Sequence, residues 1–216
     1  MTANDLSGAP ADIAALDDIT AVVSNRGGAF AALRSTGHVV AWGPPTAGGV
    51  VPADIAALDD IAVLAASSGQ AGRGIGAFAA IRTTGQVVAW GHLVNGGTLP
   101  AAIASRNDIT AVTGNGGGAF AAIAGGQILA WGNPSTGGAI SPTEGAFTDI
   151  VEIVGNNGAF AARRTHGSVL AWGSASFGGG TPSGLSAAIP TVALTSTDTQ
   201  FQATLADDTT VNWPQR

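Results

Sequence analysis

The side chains with chemical potential are carboxylates, imidazoles and indoles, and each has a bland reading beside its sharp one. Asp17-Asp18 and Asp59-Asp60 are adjacent pairs, and Asp108 and Asp149 follow at the same place before an Ile. Clustered carboxylates can ligate a hard cation, but no Asp-rich loop with calcium-type spacing accompanies them. The expectation is therefore no metal, with each Asp capping a turn through a bond to backbone N–H. His38, His92 and His166 stand singly in different settings, two beside predicted hairpin turns and one after a Trp-Gly. Such positions do not converge as a metal site requires, so they read as surface histidines.

Catalytic machinery has no carrier. There is no Cys and no Ser-His-Asp order with a nucleophile elbow. Glycoside hydrolysis needs two opposed carboxyl groups. Glu144 and Glu152 are the only Glu, and Glu152 is the sole carboxylate inside a predicted strand. The expectation is a non-enzymatic chain without a cofactor.

The five Trp could stack on sugars, since an indole face suits a pyranose and its N–H can hold a hydroxyl. Each, however, ends an apolar run beside Gly, or Pro in the last copy, which favours packing. Four-residue loops follow the first four Trp: Pro44-Pro45-Thr46-Ala47, His92-Leu93-Val94-Asn95, Asn133-Pro134-Ser135-Thr136 and Ser174-Ala175-Ser176-Phe177. Fixed loop length with varied content is how a scaffold builds a recognition face. His92, Asn95, Asn133, Ser135, Ser174 and Phe177 are the candidate ligand-binding residues. Arg73 joins them from a Gly-rich excess in the second copy, Ser67-Ser68-Gly69-Gln70-Ala71-Gly72-Arg73-Gly74. That loop lacks the Gly-Lys-Ser/Thr of a phosphate cradle.

The elements that must position these residues come from a tandem repeat. Trp42, Trp90, Trp131, Trp172 and Trp213 are spaced by 48, 41, 41 and 41 residues. Phe30, Phe78, Phe120, Phe160 and Phe201 precede them by 11 or 12. A Gly-Gly pair starts six residues after each of the first four Trp, and a Pro follows it. Ala29-Phe30-Ala31-Ala32-Leu33 reads as a strand, Ser35-Thr36-Gly37 as its turn, and His38-Val39-Val40-Ala41-Trp42 as the partner. Ile19-Thr20-Ala21-Val22-Val23 is a third strand. Gly-Gly-Val-Val-Pro is a weak, edge-like fourth. Ala14-Ala15-Leu16 and Ala56-Ala57-Leu58 could instead form a helical turn.

Sheets this small cannot bury their own faces, so the copies must lean on one another. The fold predicted is all-β, a five-bladed β-propeller of antiparallel three- to four-stranded blades, one domain over 1–216. Its units are 8–49, 50–97, 98–138, 139–180 and 181–216. The last unit lacks its own Gly-Gly-Pro tail, and Gly8-Ala9-Pro10 resembles the missing piece. Closure by joining of the N- and C-terminal segments is therefore expected.

The order Ala77-Phe78-Ala79-Ala80-Ile81, Thr84-Gly85, Val87-Val88-Ala89-Trp90-Gly91, Gly96-Gly97 resembles the RCC1 repeat. That resemblance implies a propeller and, by family habit, an exchange factor, a scaffold or a binding surface. A five-unit ring is also similar in architecture to the tachylectin type of sugar-binding propeller.

Composition narrows the partners. The eight basic residues, all Arg, stand against 14 acidic ones for a net charge of −6, with no basic run. Nucleic acid and anionic membrane both require a cationic face, so neither is expected. No apolar stretch is long enough for a membrane span, and Met1–Gly8 has no signal-peptide pattern. A cytoplasmic location is the expectation. The preferred function is a recognition or scaffold module binding a protein or glycan through propeller loops, as monomer or homo-oligomer. The alternatives are a glycoside hydrolase using the central cleft and an RCC1-like regulator of a small GTPase.

Overall fold

In the computed structural model, residues 1–7, 70–73, 181, 183–184, 186–187 and 215–216 lie outside the described part of the chain. The described residues form five antiparallel three-stranded sheets, each taken consecutively from the chain. The first holds β1 (Ile19–Ser24), β2 (Phe30–Arg34) and β3 (Val39–Trp42). The second holds β4 (Ile61–Ser68), β5 (Gly76–Arg82) and β6 (Val87–Gly91). The third holds β7 (Ile109–Gly114), β8 (Ala119–Ala124) and β9 (Gln127–Gly132). The fourth holds β10 (Ile150–Gly155), β11 (Ala159–Arg164) and β12 (Val169–Gly173). The fifth holds β13 (Thr191–Ser196), β14 (Phe201–Leu205) and β15 (Thr210–Trp213). This is the five-bladed propeller fold, and the blades have three strands.

The weak fourth-strand candidate is not a strand. Val50–Pro52 runs on into one turn of helix at Ala53–Ala56, and single turns stand likewise at Ala11–Ala14, Ala101–Ala104 and Pro142–Gly145. A proline caps the first three and begins the fourth. Proline's fixed φ suits a helix start, and its missing N–H costs nothing there. The Ile of each of the first three turns, Ile13, Ile55 and Ile103, is buried.

Two devices repeat from blade to blade. In the first, the hairpin glycine of one blade accepts the entering N–H of the next. Ile61 donates to the Gly37 carbonyl at 3.0 Å, Ile109 to Gly85 at 3.0 Å, Ile150 to Gly126 at 2.9 Å and Thr191 to Gly167 at 3.1 Å. Glycine is required there twice over. Gly37 sits at φ +80°, and a Cβ on it would lie 2.0 Å from the Asp59 carbonyl oxygen. In the second, each Trp opposes its Phe across the ladder, with ring centroids 5.2 to 5.4 Å apart. The indole of the later blades then donates to the glycine turn of the preceding unit. Trp90 bonds the Gly48 carbonyl at 2.9 Å, Trp131 that of Gly96 at 3.1 Å, Trp172 that of Gly137 at 3.0 Å and Trp213 that of Gly178 at 3.2 Å. All five Trp are buried, between 1% and 6% exposed, which makes them packing residues.

The core lies between blades. Ala29, Ala31, Leu33 and Val39 of the first blade enclose Phe78, Ala80 and Trp90 of the second. The same arrangement joins second to third, third to fourth and fourth to fifth. Alanine on the receiving face leaves room for the rings of its neighbour, and this close fit is what a chain so rich in Ala achieves.

The junction of fifth with first blade differs. Phe30, Trp42, Ala32 and Ile13 pack with Ala9, Leu16, Val22 and Val40, and no described residue of the fifth blade shares that cluster. Closure by joined terminal segments has no ladder among the described residues, and residues 1–7 and 215–216 lie outside them. The two end blades meet instead at the axis, where the Arg26 guanidinium bonds Asp198 at 3.1 Å.

Candidate binding site at the propeller axis

In each blade the first and third strands point the same way, so the loop leaving the first strand and the turn after the third lie at one end. The loops after β1, β4, β7, β10 and β13 interlock there. The Arg26 amide donates to Ser68 Oγ at 2.9 Å, and the Ser68 amide to the Asn115 carbonyl at 2.9 Å. Gly116 donates to Asn156 at 2.8 Å, and Asn157 to Asp198 at 3.0 Å. With the Arg26–Asp198 pair, the five loops form one circuit of bonds.

Three asparagines hold these loops in shape. Asn25 Oδ1 accepts from the amides of Gly27 and Ala29, while its Nδ2 reaches the Ala47 carbonyl at 2.8 Å. Asn115 accepts from Gly117 and Ala119 and donates to Thr136 at 2.6 Å. Asn156 accepts from Gly158 and Ala159 and donates to Phe177 at 2.7 Å. In the second blade Ser67 takes this place, its hydroxyl donating to the Asn95 carbonyl at 2.6 Å. An amide supplies donor and acceptor at once, so one side chain ties the axial loop to the turn after the Trp strand.

The circuit surrounds an open basin of about 440 Å³ lined from all five units. Its polar side chains include Ser24, Arg26, Ser68, Asn157, Ser196 and Asp198, and among the described residues Ala66 is its one apolar residue apart from glycine. Ser24 Oγ and the Asn157 side-chain carboxamide make no hydrogen bond among the described residues, and both residues line the basin. Arg26 and Asp198 are its charged pair, and both stay well exposed.

The sequence-predicted residues stand outside the basin. His92, Asn95, Asn133, Ser135, Ser174 and Phe177 belong to the turns that follow the outer strands, at the same end but on the rim. Asn95 is buried, and neither its Nδ2 nor the buried His92 Nδ1 has a hydrogen-bond partner among the described residues. Asn133 spends its side chain on Ser135 N and the Gly117 carbonyl. Phe177 packs against Gly158, and Ser135 is exposed. Arg73 lies outside the described residues. Sequence reasoning missed the axial loops. Their signal was there: Asn25, Asn115 and Asn156 each precede a Phe by four or five residues, with Gly between.

At the opposite end, the repeated Asp residues form ion pairs. Arg34 Nε bonds both oxygens of Asp18 at 3.0 Å, Arg82 pairs with Asp60 at 3.0 Å, and Arg164 with Asp149 at 2.8 Å. Arg106 pairs with Asp108 two residues on. The Arg164 guanidinium holds the Asp149 carboxyl below the ordinary carboxylate range, and Arg106 does the same to Asp108. These Asp pin the ends of strands. No group of three or more metal-ligating side chains occurs among the described residues, and no described helix is long and apolar enough to cross a membrane.

No family model matches the chain, and no curated protein matches it. Solved structures do. The ectodomain of the receptor kinase CR4 from Physcomitrella patens superposes with a TM-score of 0.61 at 15% identity, over 92% of this chain and 52% of that one. Prp20p from Saccharomyces cerevisiae, whose binding to Gsp1p and histones is described with its structure, gives 0.61 at 16% identity, over 94% and 58%. Human WBSCR16 gives 0.57 at 14%, over 90% and 61%. Yeast Prp20 is the yeast RCC1, so the likeness extends to that propeller type. At such identity the likeness is one of fold. This chain spans between half and two thirds of the length of these structures.

Proposed function

We propose that the chain is a recognition module that takes a polypeptide ligand in the axial basin. One observation carries the reading: all five units contribute to a single polar basin, and its walls are held rigid by bonds that leave Ser24 and Asn157 unspent. A preformed site loses little ordering entropy on binding. The choice of polypeptide over glycan rests on the aromatics. Sugar recognition draws on exposed ring faces, and here every Trp is buried and no ring lines the basin among the described residues. Asp198, the basin's one carboxylate among the described residues, is already paired, which favours binding over the paired-carboxyl chemistry of a glycoside hydrolase.

Selection from a displayed random peptide library tests this, with a glycan array run in parallel. The expected result is a set of peptides whose binding falls at least tenfold on Ser24→Trp or Asn157→Trp, which fill the basin. Glycan binding abolished by the same substitutions, or peptides indifferent to them, overturns the reading.

A further inference from the structure

Propeller blades commonly carry four strands, and these carry three, so each outer strand has a free edge. In the second blade β6 pairs with β5 without a bulge, and no ladder among the described residues covers its other side. The Arg82 amide bonds the Gln86 carbonyl at 2.8 Å and the His92 amide that of Gly76 at 2.8 Å, which fixes the alternation between them. Val88 and Trp90 turn their backbone groups toward β5, while Val87 and Ala89 turn theirs to the free edge. Val87 is buried. Ala89 is half-buried, and its N–H and C=O have no partner among the described residues. The strand carries none of the proline, charge or bulge that blunts exposed edges.

An open cavity of about 400 Å³ lies along this edge, with Val88 and Ala89 among its lining residues. Two walls flank them. On one face of the sheet Ile55, from the helical turn Ala53–Ala56, packs with Val88, Phe78 and Trp90. On the other face Leu99 packs with Ala89, Ala79 and Ile103. Gly97, Thr98 and Leu99 line the cavity without any backbone bond to β6, so the place of a fourth strand is passed by and not filled. Two charged residues line the cavity as well. The Arg82 guanidinium is engaged, with Nε on both Asp60 oxygens at 3.0 and 3.1 Å and Nη1 on Gln86 at 2.8 Å. Asp54 is exposed and has no hydrogen bond or ion pair among the described residues. The cavity therefore combines a backbone donor and acceptor, apolar walls and one uncompensated carboxylate.

We propose that this cavity takes an extended segment of another polypeptide, added antiparallel to β6 as the blade's fourth strand, with a Lys or Arg beside Asp54. Strand addition draws affinity from main-chain bonds and selectivity from alternate side chains. The incoming residue opposite Ala89 exchanges both bonds with it. The residue opposite Val88 shares the face of Val88, on the side of Ile55 and Asp54, and this is the basic one. Its two neighbours lie on the side of Leu99 and are apolar. Three such residues rise about 10 Å. The cavity falls within the range of about 300–1,000 Å³ usual for ligand pockets. A second copy's outer strand would bring flanking walls of its own, so a single strand suits the slot better than a sheet. The site shares no residue with the axial basin.

The test follows amide resonances of the whole chain as the blocked peptide Thr-Val-Lys-Val-Thr is added. In the free chain the Ala89 amide should exchange faster than those of Val88 and Trp90. On adding peptide it should shift downfield and slow at least tenfold, while Val88 and Trp90, reporting the folded blade, stay protected. The same peptide N-methylated at both Val, which removes the donors and keeps the side chains, should have no effect. Replacing its Lys by Glu should weaken binding at least fivefold at low salt, and the Asp54→Lys variant should prefer the Glu peptide. The proposal is overturned if Ala89 is already as protected as Val88, or if its exchange slows with protein concentration alone, which would mean that a second copy fills the edge. It is equally overturned if no peptide slows Ala89, if the N-methylated peptide acts like its parent, or if Asp54→Lys leaves the order of the Lys and Glu peptides unchanged. Asn157→Trp, which fills the basin, should keep the response, so failure here and failure of the basin reading are separable.

Discussion

Arg26 and Asp198, 172 residues apart in the chain, bond at 3.1 Å and link the first axial loop to the last. Both side chains are largely solvated, 42% and 77% exposed, so the contact places the loops more than it stabilises the fold. Exposed pairs contribute at most about 1 kcal/mol. Arg26→Ala should therefore shift the urea midpoint by the equivalent of less than ~0.5 kcal/mol. It should also speed amide exchange at Asn157, whose N–H bonds the Asp198 carbonyl. A loss several times larger would mean that the pair closes the ring energetically.

The asparagine clamps should cost far more. Asn115 is buried and makes three bonds, to Thr136, Gly117 and Ala119. Asn115→Ala leaves two amides and a carbonyl without their partner, and the expected loss in urea unfolding is about 2–4 kcal/mol. Asn133→Ala, on the half-exposed turn nearby, should cost under ~1 kcal/mol.

Hairpin glycines separate strain from contact. Gly85 has φ +78°, and a Cβ on it would lie 2.2 Å from the Asn107 carbonyl oxygen. Gly85→Ala should cost more than ~3 kcal/mol, since left-handed strain alone accounts for about 1–2. Gly125 has φ +55°, with its nearest neighbour the end of the Asp108 side chain at 3.1 Å. Gly125→Ala should cost about 1 kcal/mol. Thermal melts of the two variants would show the gap.

Trp131→Phe and Trp42→Phe remove the same atoms from equivalent positions. The first also strands the Gly96 carbonyl, which accepts the Trp131 indole at 3.1 Å. An unpaired buried carbonyl costs about 1–3 kcal/mol. Trp131→Phe should therefore destabilise by roughly that much more than Trp42→Phe, as read from denaturant midpoints.

Acid should weaken the strand-end pairs in a defined window. Asp108 and Asp149 have carboxyl groups depressed below their ordinary value of 3.8 by Arg106 and Arg164. A depressed folded value means the unfolded chain binds the proton first. The stabilisation is thus complete above the ordinary carboxylate range and is lost as pH falls through it and past the depressed folded values. Asp149→Asn should flatten the acid side of a Tm-against-pH curve below about pH 4, while changing the profile near pH 7 only by a constant offset.

Much of this was legible in the chain. The spacing of Phe and Trp gave the unit, and the turn glycines gave the hairpins, because both are local in sequence and repeat five times. The proline-led segments read ambiguously, as edge strand or helical turn, since four residues carry too little periodicity to choose. Tertiary structure chose the turn by giving Ile13, Ile55 and Ile103 a crevice to fill. The rim loops drew attention as candidates because their length was constant and their content varied. The axial loops are inconspicuous in sequence because a lone Asn before glycines looks like any turn until three of them, with Ser67, meet around one axis. Sequence determines what each blade is, through bonds between near neighbours. Only packing decides that Arg26 meets Asp198 and that the Trp90, Trp131, Trp172 and Trp213 indoles each find a glycine-turn carbonyl in the preceding unit, because both depend on how five sheets add up around an axis.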